Sequence, residues 1–228
     1  MSLEGTGAVA IWHDIADEGR DAFYAWHGLE HMPERAGIPG FSRGRRYVAV
    51  AGEPAFFNLY ETVSPAVLTG AHYLARLNAP TPWTAATVGY FRDVSRSVCT
   101  VACSEGEGDG GLVATYRYEV PEADAARHRE RLCAVLPALA KEPGIAGAHL
   151  LVADPDGSAI ETAERRARGT ATLIPRWIVL IEGWGDVDPF IAAARRFAGA
   201  DWFGDTEAAP AWAVYRLQNS RAAPRSHR

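Results

Sequence analysis

The segments AGIPG (Ala36–Gly40) and PGIAG (Pro143–Gly147) are similar and lie in different halves of the chain. A strand-like run follows each of them, AFFNLYET (Ala55–Thr62) after the first and RWIVLIEGWG (Arg176–Gly185) after the second. Similar segments in the same order are typical of a duplicated architecture. The sequence therefore predicts two copies of one structural unit.

The second copy contains an insertion, DPDGSAIETAERRARGTATLIP (Asp154–Pro175), which the first copy lacks. The strand-like runs align through Glu61 and Glu182 once this insertion is set aside. The insertion contains a helix-compatible run of glutamates and arginines. We expect it to form either a short exposed helix or a lid over a pocket.

Each copy reads as strand, helix, strand, strand, helix, strand, which is the ferredoxin-like βαββαβ arrangement. We expect a first repeat over residues 1–105, a flexible linker over 106–111, a second repeat over 112–220 and a flexible tail over 221–228. Each sheet has one face that its own helices leave uncovered, and two such sheets cover each other. The predicted fold class is α+β, with two ferredoxin-like repeats forming a pseudo-dimeric α/β barrel.

The composition is that of an ordinary globular protein, with 48% hydrophobic residues and a formal net charge of −5. An acidic chain argues against general nucleic-acid binding, which needs a basic face. No apolar run is long enough for a membrane span, and no secretory signal is visible at the N-terminus. The three cysteines, Cys99, Cys103 and Cys133, predict reduced thiols of a cytoplasmic protein.

The segment WHGLEHMPERAGIPGFSRGRRY (Trp26–Tyr47) resembles the helix-end-to-strand segment of EthD-like proteins in the dimeric α/β-barrel superfamily. The fold resemblance covers most of residues 7–220. It implies a small enzyme without an organic cofactor, of the lyase, cyclase or isomerase type. Since this superfamily includes many chemistries, the resemblance indicates the fold more strongly than the reaction.

Three polar residues of the first predicted helix, His27, Glu30 and His31, are the candidate catalytic residues. On a regular helix of 100° per residue, Glu30 falls between Phe23 and Trp26 on the apolar face. Burial there is expected to raise the pKa of the carboxyl group, which suits proton transfer near neutral pH. Both histidines border the same face, one turn apart.

The alternative is a structural role, in which the three residues form an ion-paired cluster at a sheet edge. The aligned positions of the second copy are Ala134, Pro137 and Ala138, so the fold does not require polar residues there. We therefore expect at most one site per chain.

The candidate substrate-binding residues are Trp26, Tyr47, Asn58 and Tyr60, which offer an apolar wall and hydrogen bonds to a carbonyl or phenol. His13 is a weaker candidate, and Trp83, Trp184, Trp202 and Trp212 are further candidates for the apolar wall. His72 and His128 are expected on exposed helix faces. The arginines Arg43, Arg45 and Arg46 are expected on a solvated strand edge, with steering of an anionic ligand as the less favoured alternative.

Phosphate loops, dinucleotide fingerprints and paired CxxC motifs are missing from the sequence, so no organic cofactor and no metal are expected. The pattern His27-x-x-Glu30-His31 resembles the inverzincin motif, but a third ligand on a downstream helix is lacking. A haem or a divalent metal bound at His27 or His31 is the alternative.

The leading hypothesis is a cofactor-independent acid/base enzyme acting on a small apolar or aromatic carbonyl compound. The alternatives are a haem-binding or haem-oxidising protein and a non-catalytic binding or assembly module. The expected partner is a small-molecule ligand, with neither nucleic acid nor a membrane. Both a monomeric pseudo-dimer and a homodimer are compatible with the sequence.

Overall fold

The computed structural model describes residues 3–224. Eight strands and eight α-helices account for most of the described chain. The strands are β1 (Gly7–Ile15), β2 (Phe41–Ala51), β3 (Phe56–Thr62), β4 (Phe91–Gly106), β5 (Leu112–Tyr118), β6 (Ile145–Ala153), β7 (Trp177–Gly183) and β8 (Ala211–Ala222). The helices are α1 (Arg20–Trp26), α2 (Met32–Ala36), α3 (Ala71–Asn78), α4 (Pro82–Thr87), α5 (Ala125–Leu139), α6 (Pro155–Ala159), α7 (Ala163–Arg168) and α8 (Val187–Ala198).

The eight strands form one closed antiparallel barrel in the order β1-β3-β2-β8-β5-β7-β6-β4. Within the first half the order is β4-β1-β3-β2, and the second half has the same order, β8-β5-β7-β6. Pairing of β2 with β8 and of β4 with β6 joins the halves and leaves the sheet without an open edge. The fold prediction is confirmed, because each βαββαβ half covers the inner sheet face of the other.

The barrel interior holds alternate side chains of all the strands, among them Trp12, Tyr47, Phe57, Leu180 and Tyr215, each buried. The outward sheet faces pack against helices. In the second half this layer is a continuous apolar core that contains Leu132, Leu136, Val179 and Phe197. In the first half it is divided into two smaller apolar clusters, and the candidate site lies where they meet.

The arginines of β2 are buried rather than solvated, so the expectation of an exposed strand edge is wrong. Arg45 lies inside the barrel, 3.0 Å from the carboxylate of Glu61 and 2.8 Å from that of Glu182. Arg43 also pairs with Glu61, at 2.9 Å. Arg46 faces the helices instead. The strand is central because β2 pairs on both sides, and the arginines are accommodated because each has acceptors.

Cys103 on β4 and Cys133 on α5 form a disulfide, with their Cα atoms 5.8 Å apart. The expectation of reduced thiols is therefore wrong for these two residues and correct for Cys99, which is free and buried. The cytoplasmic expectation loses the support that it drew from the cysteine count. The bond links the last strand of the first half to the first helix of the second.

The linker predicted at residues 106–111 is short and is anchored to the barrel. The carboxylate of Asp109 pairs with Arg43, and the amide of Gly110 donates to Glu182 at 3.1 Å. The chain continues in strand β8 to Ala222, and the last four residues of the predicted tail, 225–228, lie outside the described residues. None of the described helices is both long and apolar enough to cross a membrane.

Candidate functional site

The predicted first helix is interrupted by one π-turn, His27–His31, which lies between α1 and α2. Its signature is the bond from the amide of Met32 to the carbonyl of His27, five residues back. Such turns contain one more residue than an α-helical turn and are frequent at functional sites. Both candidate histidines lie in this turn, and both are buried.

The wider turn changes which side chains face inward, and the regular helical wheel is wrong for Leu29 and Glu30. Leu29, placed on the apolar face by the wheel, is 75% exposed. Glu30, placed between Phe23 and Trp26, is half-buried and points toward α4, where its carboxylate accepts hydrogen bonds from Thr81 at 2.6 Å and Thr84 at 3.2 Å. A one-residue insertion of this kind has no signal in the residue pattern.

A cavity lies between the outward face of β1 and β3 and the helices of the first half. The centres of water molecules can occupy a volume of about 60 Å³ inside it. One water needs roughly 10–15 Å³ on this measure, so the cavity takes about four to six waters or one small ring. The apolar part of the wall consists of Ile11, Trp26, Leu68, Leu74, Leu77, Val88, Phe91 and Ile160.

Polar side chains complete the wall, and several have atoms with no partner among the described residues. These atoms include Nδ1 of His31, Oδ1 of Asn58 and Nη1 of Arg35. All three are buried, and buried polar atoms are nearly always hydrogen-bonded in native proteins. The three residues line one cavity, so its wall includes polar groups whose hydrogen-bonding capacity the described residues do not use.

Burial and neighbouring positive charges keep the cavity imidazoles neutral. Desolvation, followed by the charges of Arg46 and of other groups, lowers the pKa of His27 well below its ordinary value. The pKa of His31 is lowered in the same way, by desolvation and then by Arg35. A neutral imidazole has one nitrogen with a free lone pair, which accepts either a hydrogen bond or a proton.

The hydrogen bonds of His27 determine its tautomer and the direction of the Tyr60 hydroxyl. Arg46 lies 3.3 Å from Nδ1 of His27, and a guanidinium only donates, so Nδ1 is the acceptor. Nε2 therefore carries the proton and donates it to the hydroxyl oxygen of Tyr60, 3.2 Å away. Burial raises the pKa of Tyr60, which stays protonated and keeps its own O–H for a ligand.

The position of Tyr60 depends on the glycine opposite it. Gly44 on β2 pairs across the sheet with Tyr60, and a β-carbon added at Gly44 would lie 2.8 Å from the tyrosine ring. The absence of a side chain lets the ring lie against the strand with its hydroxyl toward His27.

The insertion Asp154–Pro175 covers the cavity. Of the two structures expected for it, an exposed helix and a lid, it forms the lid. Its helices α6 and α7 belong in sequence to the second half, yet they pack over the first. Glu164 on α7 pairs with the buried guanidinium of Arg35, and the amide of Ala163 donates to Asn78 at 3.1 Å. The site is therefore built from both halves of the chain.

The structure brings together Trp26, His27, His31, Asn58 and Tyr60 of the predicted site residues. Tyr47 does not join them, because its ring lies inside the barrel, stacked on Phe57 with 5.6 Å between ring centroids. Neighbouring residues of a strand face opposite sides, and the register of β2 and β3 places Tyr47 beside Phe57 rather than on the face of Asn58 and Tyr60. Of the five tryptophans considered, Trp26 lines this cavity, and the other four do not.

His13 lies behind the cavity wall and supports it. Asn58 donates to Nε2 of His13 at 2.8 Å, which fixes the amide so that its Oδ1 is the atom left unpaired. The imidazole packs among Phe23, Phe56 and Phe91, and desolvation by burial lowers its pKa to about 3.

Sequence reasoning missed Arg35 and Arg96, which line the cavity, and included Arg168 only in the charged run of the insertion. Arg35 belongs to the quoted Trp26–Tyr47 segment, but a basic residue in the last turn of a helix is ordinary and gave no signal. His72 is exposed as expected. His128 is buried, contrary to expectation, because it packs on Trp177 and bonds the hydroxyl of Tyr118 at 3.0 Å.

The alternative cofactors fit this cavity poorly. A porphyrin has four pyrrole rings, and the cavity has room for about one small ring. A divalent metal would find two imidazoles, whereas protein metal sites supply three or more ligands. Within residues 3–224, no three side chains of His, Cys, Asp or Glu come together as a metal site.

Solved structures with low sequence identity share this fold. An anthrone oxidase-like protein is 13% identical with a TM-score of 0.65, over 99% of this chain and 97% of that one. A putative monooxygenase from Lactobacillus acidophilus NCFM is 11% identical with a TM-score of 0.57, over 96% and 97%. A haem-binding protein from Thermus thermophilus is 13% identical with a TM-score of 0.50, over 96% and 93%.

No protein-family model matches the chain, and no curated protein matches it in sequence. The similarities to solved structures show the fold alone, which is the ferredoxin-like α/β barrel.

Proposed function

We propose that the protein is a cofactor-independent acid/base enzyme that removes a proton from a small aromatic carbonyl compound bound in the cavity of the first half. The observation that supports this most directly is the unpartnered Nδ1 of His31, a buried and neutral imidazole nitrogen beside a protonated Tyr60. The resemblance to EthD-like enzymes agrees with it, since Trp26, His27, His31 and Arg35 all come from the segment that carries that resemblance.

His31 and Tyr60 take complementary roles in this reaction. The C–H bond next to the substrate carbonyl breaks, its proton moves to Nδ1 of His31, and its electron pair forms the enolate. The Tyr60 hydroxyl donates to the developing oxyanion, while His27 holds that hydroxyl in place. Returning the proton to the far carbon of a conjugated enolate gives isomerisation, one of the chemistries expected from the sequence.

Glu30 is a positioning residue in this scheme. Its carboxylate accepts from Thr84, whose hydroxyl also accepts the indole N–H of Trp26 at 3.1 Å. The ring of Trp26 packs on His31 with 4.3 Å between centroids. Glu30 thereby orients the apolar wall against which the base lies.

Deuterium exchange tests the proposal. The protein is incubated in D₂O with phenylacetone and phenylpyruvate, two enolisable ketones that each carry one phenyl ring. Loss of the proton next to the carbonyl is followed by NMR. We expect exchange above the spontaneous rate, its loss in His31→Gln, and an unchanged rate in the exposed control His72→Gln. Thermal melting checks that both variants fold.

Exchange no faster than the spontaneous rate with either ketone would overturn the proposal. So would a folded His31→Gln variant that exchanges as fast as the original protein.

A further inference from the structure

We infer that the cavity takes a substrate bearing a carboxylate, which binds between Arg96 on strand β4 and Arg168 on the lid helix α7. This inference rests on the proposed function, since it names the substrate class of the same site. The proposed substrate is accordingly a single-ring carbonyl compound with a carboxylate group.

The charges of the wall favour an anion. Four guanidiniums line the cavity, those of Arg35, Arg96, Arg165 and Arg168, against the single carboxylate of Glu164. Glu164 is engaged with Arg35, and Arg165 pairs with Glu161 at 3.2 Å. The polar contacts found for Arg96 and Arg168 are to neutral hydroxyls.

Arg96 donates to the hydroxyl of Tyr73 at 3.1 Å, and Arg168 donates to that of Thr172 at 2.8 Å. The Nε atom of Arg168 is buried and has no partner among the described residues. Burial, followed by the positive charge of Arg96, lowers the pKa of Arg168 to about 10 and outweighs the opposite effect of the Glu164 and Glu161 carboxylates. The two like charges oppose each other, and an anion between them relieves that repulsion.

Backbone hydrogen bonds hold the end of the lid against strand β4, next to Arg96. Residue Leu173, just after α7, pairs with strand β4 through two backbone bonds, from the amide of Arg96 at 2.8 Å and to the carbonyl of Val94 at 3.0 Å. These bonds place the end of the lid beside Arg96 itself. The planar guanidinium group presents parallel N–H donors that match the two oxygens of a carboxylate, so a carboxylate is the anion that this pair of arginines favours.

An anionic substrate also suits the base. The pKa of His31 is lowered first by burial and then by the positive charge of Arg35. A bound carboxylate offsets positive charge in the cavity and stabilises the imidazolium that forms when His31 takes a proton. The substrate class and the acid/base role therefore support each other.

The test is calorimetric titration of the full chain with benzoate and with benzamide, its uncharged counterpart. We expect saturable benzoate binding and much weaker benzamide binding. Arg168→Gln and Arg96→Gln each remove a charge-assisted bond, so benzoate affinity is expected to fall about ten- to hundredfold. Arg166→Gln is the matched control, because Arg166 is exposed on the same helix, and we expect unchanged affinity.

Four results would overturn the inference: no saturable benzoate binding, equal binding of benzamide, unchanged benzoate affinity in Arg168→Gln, or tighter binding of inorganic phosphate than of benzoate. His31→Gln separates this inference from the proposed function. Benzoate binding that persists in His31→Gln while exchange is lost supports both, and benzoate binding without ketone exchange by the original protein rejects the function alone.

Discussion

The histidines of the first half are unusual because three of them, His13, His27 and His31, are buried among aromatic rings and arginines. All three have lowered pKa values, with desolvation as the main cause. Such a cluster is costly when it is protonated, and the fold keeps its three rings neutral. The acceptor nitrogens of His13 and His27 are engaged by Asn58 and Arg46, whereas Nδ1 of His31 has no partner among the described residues.

This cluster predicts a stability that depends on pH. In the unfolded chain each histidine takes up a proton as the pH falls below about 6.5, while the folded chain resists until a lower pH, near 3 for His13. The free energy of unfolding is therefore highest above pH 6.5. Below that it falls by about 1.4 kcal/mol per pH unit for each of these three histidines that the unfolded chain protonates and the folded chain does not.

Urea unfolding at a series of pH values between 7 and 4.5 measures this slope. We expect His31→Gln to reduce the slope by about the contribution of one histidine, and His72→Gln, at an exposed position, to leave it as it was. Equal slopes in the two variants would contradict the account.

At the scale of single residues, the sequence identified five side chains of the cavity wall but assigned Glu30 and Tyr47 to the wrong places. Alternation along a strand correctly grouped Asn58 with Tyr60, because side-chain period in a sheet is fixed. Tyr47 was misplaced because strand pattern alone does not tell which face of β2 meets which face of β3. Glu30 was misplaced because the π-turn interrupts the helical period.

At the scale of elements, the lid and the π-turn form the site together. The π-turn directs His27 and His31 inward, and α7 closes the cavity over them through the pair of Glu164 with Arg35. The sequence identified the insertion by comparing the two copies. It did not show which half the insertion covers, since that depends on the closure of the barrel.

Removing the carboxylate of Glu164 is expected to loosen the lid. Glu164→Gln leaves the Arg35 guanidinium buried without its charged partner, which costs about 1–3 kcal/mol of lid closure. Amide hydrogen exchange in α7 should then accelerate, while exchange in the barrel strands stays the same.

Glu161→Gln is the control for this experiment, because Glu161 is 60% exposed and pairs on the surface of the same insertion. Hydrogen exchange followed by mass spectrometry distinguishes the two variants. Equal exchange of α7 in both would show that the pair of Glu164 and Arg35 does not hold the lid.

At the scale of the whole molecule, the two halves are joined by charges inside the barrel. Glu61 and Glu182, aligned from the sequence as equivalent residues of the two copies, both pair with Arg45. Burial alone would raise the pKa of Glu182, but His149 and Arg45 outweigh it and lower the pKa to about 2. The duplicated glutamates thus meet at one arginine.

Replacing that arginine is expected to destabilise the entire fold. Arg45→Met leaves two buried carboxylates without their shared partner, which costs about 3–5 kcal/mol of the free energy of unfolding. Arg216→Met, at an exposed strand position on β8, is the control and should change it little. Urea unfolding measures both, and a similar small effect in the two variants would contradict the role of Arg45.

The duplication and the barrel were predictable at this scale because they follow from the order of elements and from the need to cover each sheet. The functional asymmetry was predictable only in part. Ala134, Pro137 and Ala138 indicated that the second copy lacks the polar trio, and in the structure the corresponding layer is filled by an apolar core. The contribution of the second half to the site through its lid was visible only in three dimensions.

The central claim is that His31 is a neutral base facing a ligand in the first-half cavity. Nitrogen-15 NMR of histidine-labelled protein at pH 7, with and without benzoate, tests it most directly. The account predicts a neutral His31 ring whose signals shift on titration, with the signals of His128 in the second half unchanged. A protonated His31 in the free protein, or His31 signals that do not respond to benzoate, would contradict it.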